Sequence, residues 1–300
     1  MAGRPQRVNE RLAEFALAEL TPPVELLAPT APRVPVLFTS AHSGQIYPSD
    51  FISASRLDPA GLRRSEDSFV DELFDIAPRL GAPLLRARFP RAFCDPNREK
   101  WELDPAMFSE SLPHWVNTKS PRVAVGLGTV ARVVASGDTI YRTKLRFPEV
   151  QSRIEHCWQS FHDALAAELA TIRARFGIAV LIDCHSMPRS SQSRADRADI
   201  VIGDAHGTAC AAEWVRTAEE RLQSLGFRTR RNDPYAGGYI TRHYGRPPEG
   251  VHAIQLEICR SLYMNETNFT RASNFEDVRN RLSHFATDIV RHASAMAGQA

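Results

Sequence analysis

Two short stretches carry residues able to hold a metal ion: Ser40-Ala41-His42-Ser43-Gly44 and Asp183-Cys184-His185-Ser186-Met187. Each follows an apolar run, Val34 to Phe38 in one case and Ile178 to Ile182 in the other. Such runs read as core strands, so each histidine stands just past the carboxyl end of a strand. Open α/β sheets take their ligands at that edge. Two imidazoles brought to one rim are the start of a zinc-type site. In an extended strand Asp183 and His185 face one side and Cys184 the other. A carboxylate beside a ligating imidazole fixes its tautomer. The plainer alternative is an aspartate capping the next helix and a histidine bonded to backbone. His42 taken alone is a polar loop residue; its pairing with His185 is what points to a metal.

A third ligand is offered by Glu66 or Asp67, which open a helix predicted over 66–80 with Phe69, Leu73, Ala77 and Leu80 in step. Acidic residues in a first turn are also favoured by the helix dipole. Helical projection leaves both open. Glu66 falls near the apolar stripe with Val70, Leu73 and Ala77, and Asp67 at its edge with Asp71. Farther on, Gln255 and Glu257 share one face of the run Val251 to Arg260, and Ile254, Leu256 and Ile258 the other. A glutamate late in an apolar strand is costly to bury without a partner. It is either a general base with a raised pKa or half of an ion pair with Arg260 or Arg242. Arg91, Asn97 and Arg98 follow another strand and suit either a clamp on a substrate carboxylate or a solvated charged surface. Gly237-Gly238-Tyr239, through Tyr244-Gly245, is a flexible aromatic loop: a wall of the site or a connection. Neither a Walker loop, a dinucleotide fingerprint nor a GxSxG elbow occurs. Ser43 and Ser186 adjoin histidines, which alone is not a nucleophile–base geometry.

The elements that must position these residues alternate. Strand-like runs occupy 34–40, 83–88, 178–184, 199–203, 227–231 and 252–259. Helical patterns span 147–176, with Ile154, Trp158, Phe161, Leu165, Leu169 and Ile172 in register, then 207–225 and 274–296. A short amphipathic helix is expected over 8–20, after which Pro22, Pro23, Pro29, Pro32 and Pro35 keep the chain extended. The class is α/β: a mainly parallel sheet with helices on both faces. We expect a single domain over 1–300, with 1–32 as an N-terminal extension. The segment 100–146, rich in Pro and Gly, is an irregular or β-hairpin insertion, either a lid over the site or a surface loop with no role.

With 43% hydrophobic residues, a chain of 300 residues buries a substantial core. A net charge of +2 is too balanced to argue for nucleic acid or an anionic membrane, while arginines near the candidate site suit a small anionic substrate. Five cysteines without CxxC spacing, a polar N-terminus and no 18-residue apolar run lead us to expect a reduced, cytoplasmic protein without a membrane span.

Taken in order, the motifs resemble those of the N-formylglutamate amidohydrolase family. They are the His42-Ser43-Gly44 turn, the Asp67-led Asp-Ser-Phe-Val-Asp-Glu-Leu, the Asp95-Pro96-Asn97-Arg98 box, Asp183-Cys184-His185-Ser186, Gly237-Gly238-Tyr239, and Gln255-Leu256-Glu257 running into Leu262 to Glu266. The resemblance covers about residues 34–266. It implies a three-layer α/β fold with a mixed, mainly parallel sheet, similar to zinc carboxypeptidases (phosphorylase/hydrolase-like). It also implies a zinc-dependent hydrolase of the amide bond in an N-formyl- or N-acyl-amino acid. By that likeness His42, Asp67 and His185 hold one zinc, Glu257 activates water, and Arg91, Asn97, Arg98 and Tyr239 meet the substrate. The HxxE pair of carboxypeptidases is missing, because Gln45 takes its fourth position. A metallohydrolase of another N-acyl or peptide bond, or a non-catalytic binding module on this fold, are the alternatives.

Overall fold

Strand-forming sequence runs meet in one seven-stranded sheet. The computed structural model describes residues 17–31, 33–189 and 197–298. The strands are β1 (Val24–Leu27), β2 (Val36–Ser40), β3 (Leu84–Ala87), β4 (Ala179–Met187), β5 (Ile200–Gly203), β6 (Thr229–Arg231) and β7 (Val251–Cys259). Their order is β1-β3-β2-β4-β7-β5-β6. The pairs β2–β3, β2–β4, β4–β7 and β5–β6 are parallel, and β5–β7 is antiparallel. The sheet is therefore mixed and mainly parallel, as expected. β1 extends the sheet at a segment the sequence marks only as extended, with Pro22, Pro23 and Pro29 flanking it. Proline lacks an N–H, which suits an edge strand.

The chain divides into two compact units. One comprises Leu26–Ala41, Asp67–Arg86 and Ala164–Ala300 and holds most of the sheet. Its alternate strand residues, Val36, Phe38, Val180, Ile182, Cys184, Ile254, Leu256 and Ile258, are packed into one apolar cluster. Trp214 and Leu222 of the helix Ala212–Ser224 and Phe285 and Ile289 of the helix Phe275–Ala297 complete it. Burying large apolar side chains at this density stabilises each by roughly 1.5–3 kcal/mol. The intervening strand residues include Thr39, Asp183, His185, Gln255 and Glu257, all buried, so the period of two segregates apolar from polar groups.

The other unit comprises Met1–Glu25, His42–Glu66 and Ala87–Asp163. Phe51 meets Phe93 edge to face at 5.3 Å, and the Arg153 guanidinium lies 4.0 Å from the Phe93 ring centre while donating to the Tyr141 hydroxyl at 2.7 Å. The segment 100–146 has short helices at Pro105–Met107 and Pro121–Ala124 and isolated bridges, and buries Leu103, Phe108, Val130 and Ile140.

The helical pattern at 147–176 is observed, with one wide turn at Ile154–Gln159 between Phe147–Arg153 and Ser160–Phe176. The helix predicted over 66–80 is not. Ser68 and Phe69 form a turn in which Phe69 is left-handed, and only Val70–Leu73 and a tight turn at Ala77–Leu80 are helical. Pro78 removes a backbone donor, so the apolar spacing is satisfied by two separate turns. Of the helix expected over 8–20, Leu17 to Glu19 are helical; residues 8–16, like Pro32, lie outside the described residues.

Candidate metal centre

His42 stands two residues past β2, in a turn that needs a glycine. A Cβ at Gly44 would lie 2.1 Å from the Phe89 carbonyl oxygen, far inside contact distance, while Ile46 N–H donates to the Arg88 carbonyl at 3.1 Å. This close approach sets the turn. We expect Gly44→Ala to cost about 1–3 kcal/mol, as overpacking does, with thermal melting as the measure; an unchanged melting temperature would contradict the close packing. The His42 ring is oriented in turn by Asp95, whose Oδ1 lies 2.7 Å from Nε2. Asp95 also accepts from Asn97 N–H at 2.8 Å and Arg91 Nε at 2.8 Å, with Arg98 Nη2 at 3.7 Å. Burial opposes the charge on Asp95, but Arg91, Arg98 and His42 outweigh it and hold its carboxyl well below the usual range. The long helix braces this box: Trp158 donates to the Arg98 carbonyl at 2.9 Å and His162 lies 2.8 Å from that of Pro96.

His185 lies inside β4, two residues before its end and not past it as the sequence suggests, and has a carboxylate at each ring nitrogen. Asp183 Oδ2 lies 2.9 Å from Nε2, and Asp67 Oδ2 lies 3.1 Å from Nδ1. The shared face of Asp183 and His185 is thus observed, and Thr39 Oγ1 donates to Asp183 Oδ1 at 2.7 Å. The other oxygen of Asp67 accepts from Ser186 Oγ at 2.9 Å and Arg260 Nη2 at 3.0 Å. Glu66 takes a different direction. Its carboxylate meets Arg63 at 2.9 and 3.0 Å and the Tyr47 hydroxyl at 3.1 Å. The left-handed Phe69 turn, not a helical face, separates the two neighbours.

One ligand atom from each of His42, Asp67 and His185 lies within 4.8 Å of the others, and all three residues are buried. Two imidazoles and a carboxylate are the donor types that a borderline divalent ion takes. Asp95 meets Nε2 of His42 and Asp183 meets Nε2 of His185, so each imidazole is oriented by a carboxylate. The electrostatics fit as well. Burial pushes the His185 imidazole down, but Asp183, Asp67 and Glu257 outweigh it and hold the group well above its ordinary value. The place attracts positive charge, and a divalent cation is one way to supply it.

Glu257 lies directly opposite His185 in the β4–β7 register, and Gln255 Nε2 donates to its Oε1 at 2.7 Å. A sequence profile of N-formylglutamate amidohydrolase matches residues 34–264. The chain belongs to the N-formylglutamate amidohydrolase family. Two curated relatives, N-formylglutamate deformylases of Pseudomonas aeruginosa and Pseudomonas putida, are each 29% identical. The alignments span 81% and 78% of this chain and 86% and 84% of those proteins. The crystal structure of N-formylglutamate amidohydrolase from Ralstonia eutropha superposes with a TM-score of 0.87 at 34% identity, over 92% of this chain and 99% of that one. The gene product Atu2144 of Agrobacterium tumefaciens, at 18% identity, shares the fold with a TM-score of 0.65 over 94% of this chain and 98% of that one.

In this member of the amidohydrolase family the expected substrate residues have internal partners. Arg98 is buried, donating Nε to the Leu127 carbonyl at 2.9 Å and Nη1 to that of Asn97 at 2.7 Å, and burial pushes its pKa down to about 10. Tyr239 opens the short helix Tyr239–Tyr244 and stacks on His243 at 4.9 Å. Arg260, considered from sequence as a partner for Glu257, forms an ion pair with Asp67. Sequence reading assigned no part to Asp95 as the partner of His42 or to Thr39 behind Asp183. The signal for Asp95 was present: a lone carboxylate between arginines at 91 and 98, beside a strand end.

Proposed function

We propose that this chain hydrolyses the amide bond of an N-formyl- or related N-acyl-amino acid, N-formylglutamate-like, releasing the free amino acid. A zinc ion held by His42, Asp67 and His185 is part of the proposal. The single observation that carries it is the buried His/Asp/His cluster in a chain of this family. A zinc ion bound to such donors lowers the pKa of water and polarises an amide carbonyl.

The chain's own groups supply the rest. Glu257 accepts a proton from the attacking water, and the water oxygen forms the new bond to the acyl carbon. The same proton passes to the nitrogen as the carbon–nitrogen bond breaks, giving the carboxylic acid and the amine. Asp95 and Asp183 keep the two imidazoles in one tautomer throughout. We assign the substrate carboxylate to the Arg91-Asn97-Arg98 box, with Tyr239 as a wall. Asp95 orders both guanidinium groups, with Arg91 Nε at 2.8 Å and Arg98 Nη2 at 3.7 Å, and a guanidinium matches a carboxylate. Its five free, buried cysteines suit a reducing compartment such as the cytoplasm.

A substrate panel tests the reading. Zinc-loaded protein should release amino acid from N-formyl substrates. Amidation of the α-carboxyl should lower kcat/KM roughly 10–100-fold, the scale of one lost charged hydrogen bond. Zinc-loaded protein inert towards every N-acyl-amino acid tried would refute it.

A further inference from the structure

Arg98 directs two of its hydrogen bonds at backbone carbonyls. Nε donates to that of Leu127 at 2.9 Å and Nη1 to that of Asn97 at 2.7 Å. A guanidinium holds its N–H donors in a rigid planar fork, so two such bonds set the plane and direction of the whole head. A carbonyl is neutral and orients the cation without cancelling its charge. A carboxylate in direct contact would do both, and that of Asp95 lies 3.7 Å from Nη2.

The Leu127 carbonyl is itself held in place by its neighbours within the same compact unit. Leu127 N–H donates to the Arg122 carbonyl at 2.8 Å. Thr129 N–H donates to the Glu102 carbonyl at 2.8 Å, the Thr129 carbonyl accepts from Asp95 N–H at 2.7 Å, and the Thr129 hydroxyl donates to the Glu99 carbonyl. Between them stands Gly128, where a Cβ would lie 2.2 Å from the Glu102 carbonyl oxygen. No side chain fits at that distance, so glycine is what lets residues 127–129 run this close to 99–102. The 100–146 segment therefore reaches the Asp95-Pro96-Asn97-Arg98 box through its backbone.

We propose that Gly128 is a positioning residue that, by letting 127–129 pack against Glu102, aims Arg98 at the substrate carboxylate through the Leu127 carbonyl. The proposal rests on the reading of the Arg91-Asn97-Arg98 box as the carboxylate site. It makes this turn of the 100–146 segment a determinant of preference for acids over neutral amides. The contribution is one of orientation paid before the substrate arrives, and no bond is made or broken in it.

Steady-state kinetics on N-formylglutamate and on its α-amide provide the test, with zinc content measured for each zinc-loaded variant. The readout is the ratio of kcat/KM for the acid to that for the amide. Arg98→Met should lower this ratio about 10-fold or more. Gly128→Ala should lower it roughly 10-fold through a higher KM for the acid, with kcat within about twofold of wild type, the amide unaffected and zinc content unchanged. An alanine that only weakened the fold would slow both substrates alike and leave the ratio where it was. In an Arg98→Met background Gly128→Ala should change the ratio by less than about twofold, since the two act through one contact. Thr129→Val serves if the alanine variant does not fold. It nearly keeps the shape, removes the donor to the Glu99 carbonyl and should lower the ratio about threefold. A wild-type ratio in folded Gly128→Ala, or in Thr129→Val in its place, overturns the proposal, as does an equal further loss in the Arg98→Met background. A wild-type ratio in Arg98→Met overturns the box assignment itself, and this proposal with it.

Discussion

His185→Ala should abolish stoichiometric zinc binding and lower kcat/KM by roughly 10³-fold, as loss of about 4 kcal/mol of Lewis-acid help would. The residue is one of three ligand-bearing groups within 4.8 Å of one another. It also stands between two carboxylates, Asp67 and Asp183, at 3.1 and 2.9 Å. Removing the ring leaves both without that partner in a buried setting, at a further cost of about 3–5 kcal/mol of stability, the scale for breaking a buried pair. Circular dichroism separates loss of the site from loss of the fold. His185→Gln, which can still hydrogen-bond Asp183, should stay folded and still fail to hold one ion per chain. Metal analysis showing a full complement of zinc in His185→Ala, with turnover intact, would end the proposed site.

Glu257→Gln should separate chemistry from binding. Glu257 is not among the three clustered groups, so zinc content should remain at the wild-type level. The amide has nearly the shape of the carboxylate, and its oxygen can still accept from Gln255. What it lacks is a basic oxygen. Turnover should therefore fall about 10²-fold or more, the usual contribution of a general base, while KM moves little. Zinc lost in parallel with activity would instead make Glu257 part of the metal site.

The legible part of the fold was the strand pattern. Six strand-like runs became six strands, because alternation and β-branched content are local properties of the chain. The stretch 66–80 misled for the same reason. Spacing of three to four is satisfied by two short turns as well as by one helix, and it does not register Pro78 or a left-handed Phe69. Without that helix, projection could not choose between Glu66 and Asp67. In the structure the choice follows from partners: Arg63 and Tyr47 draw one carboxylate, while His185, Ser186 and Arg260 surround the other.

Sequence by itself determined that two histidines would lie towards the carboxyl ends of strands, that Asp183 and His185 would share a face, and that Glu257 would lie opposite an apolar row. Each follows from the strand period, which is set by backbone geometry within a few residues. Only the tertiary structure decided which oxygen meets which nitrogen. His42 meets Asp95 across 53 residues and Arg260 meets Asp67 across 193. Those pairings depend on strand order and register, which arise from long-range packing and leave no local periodic trace.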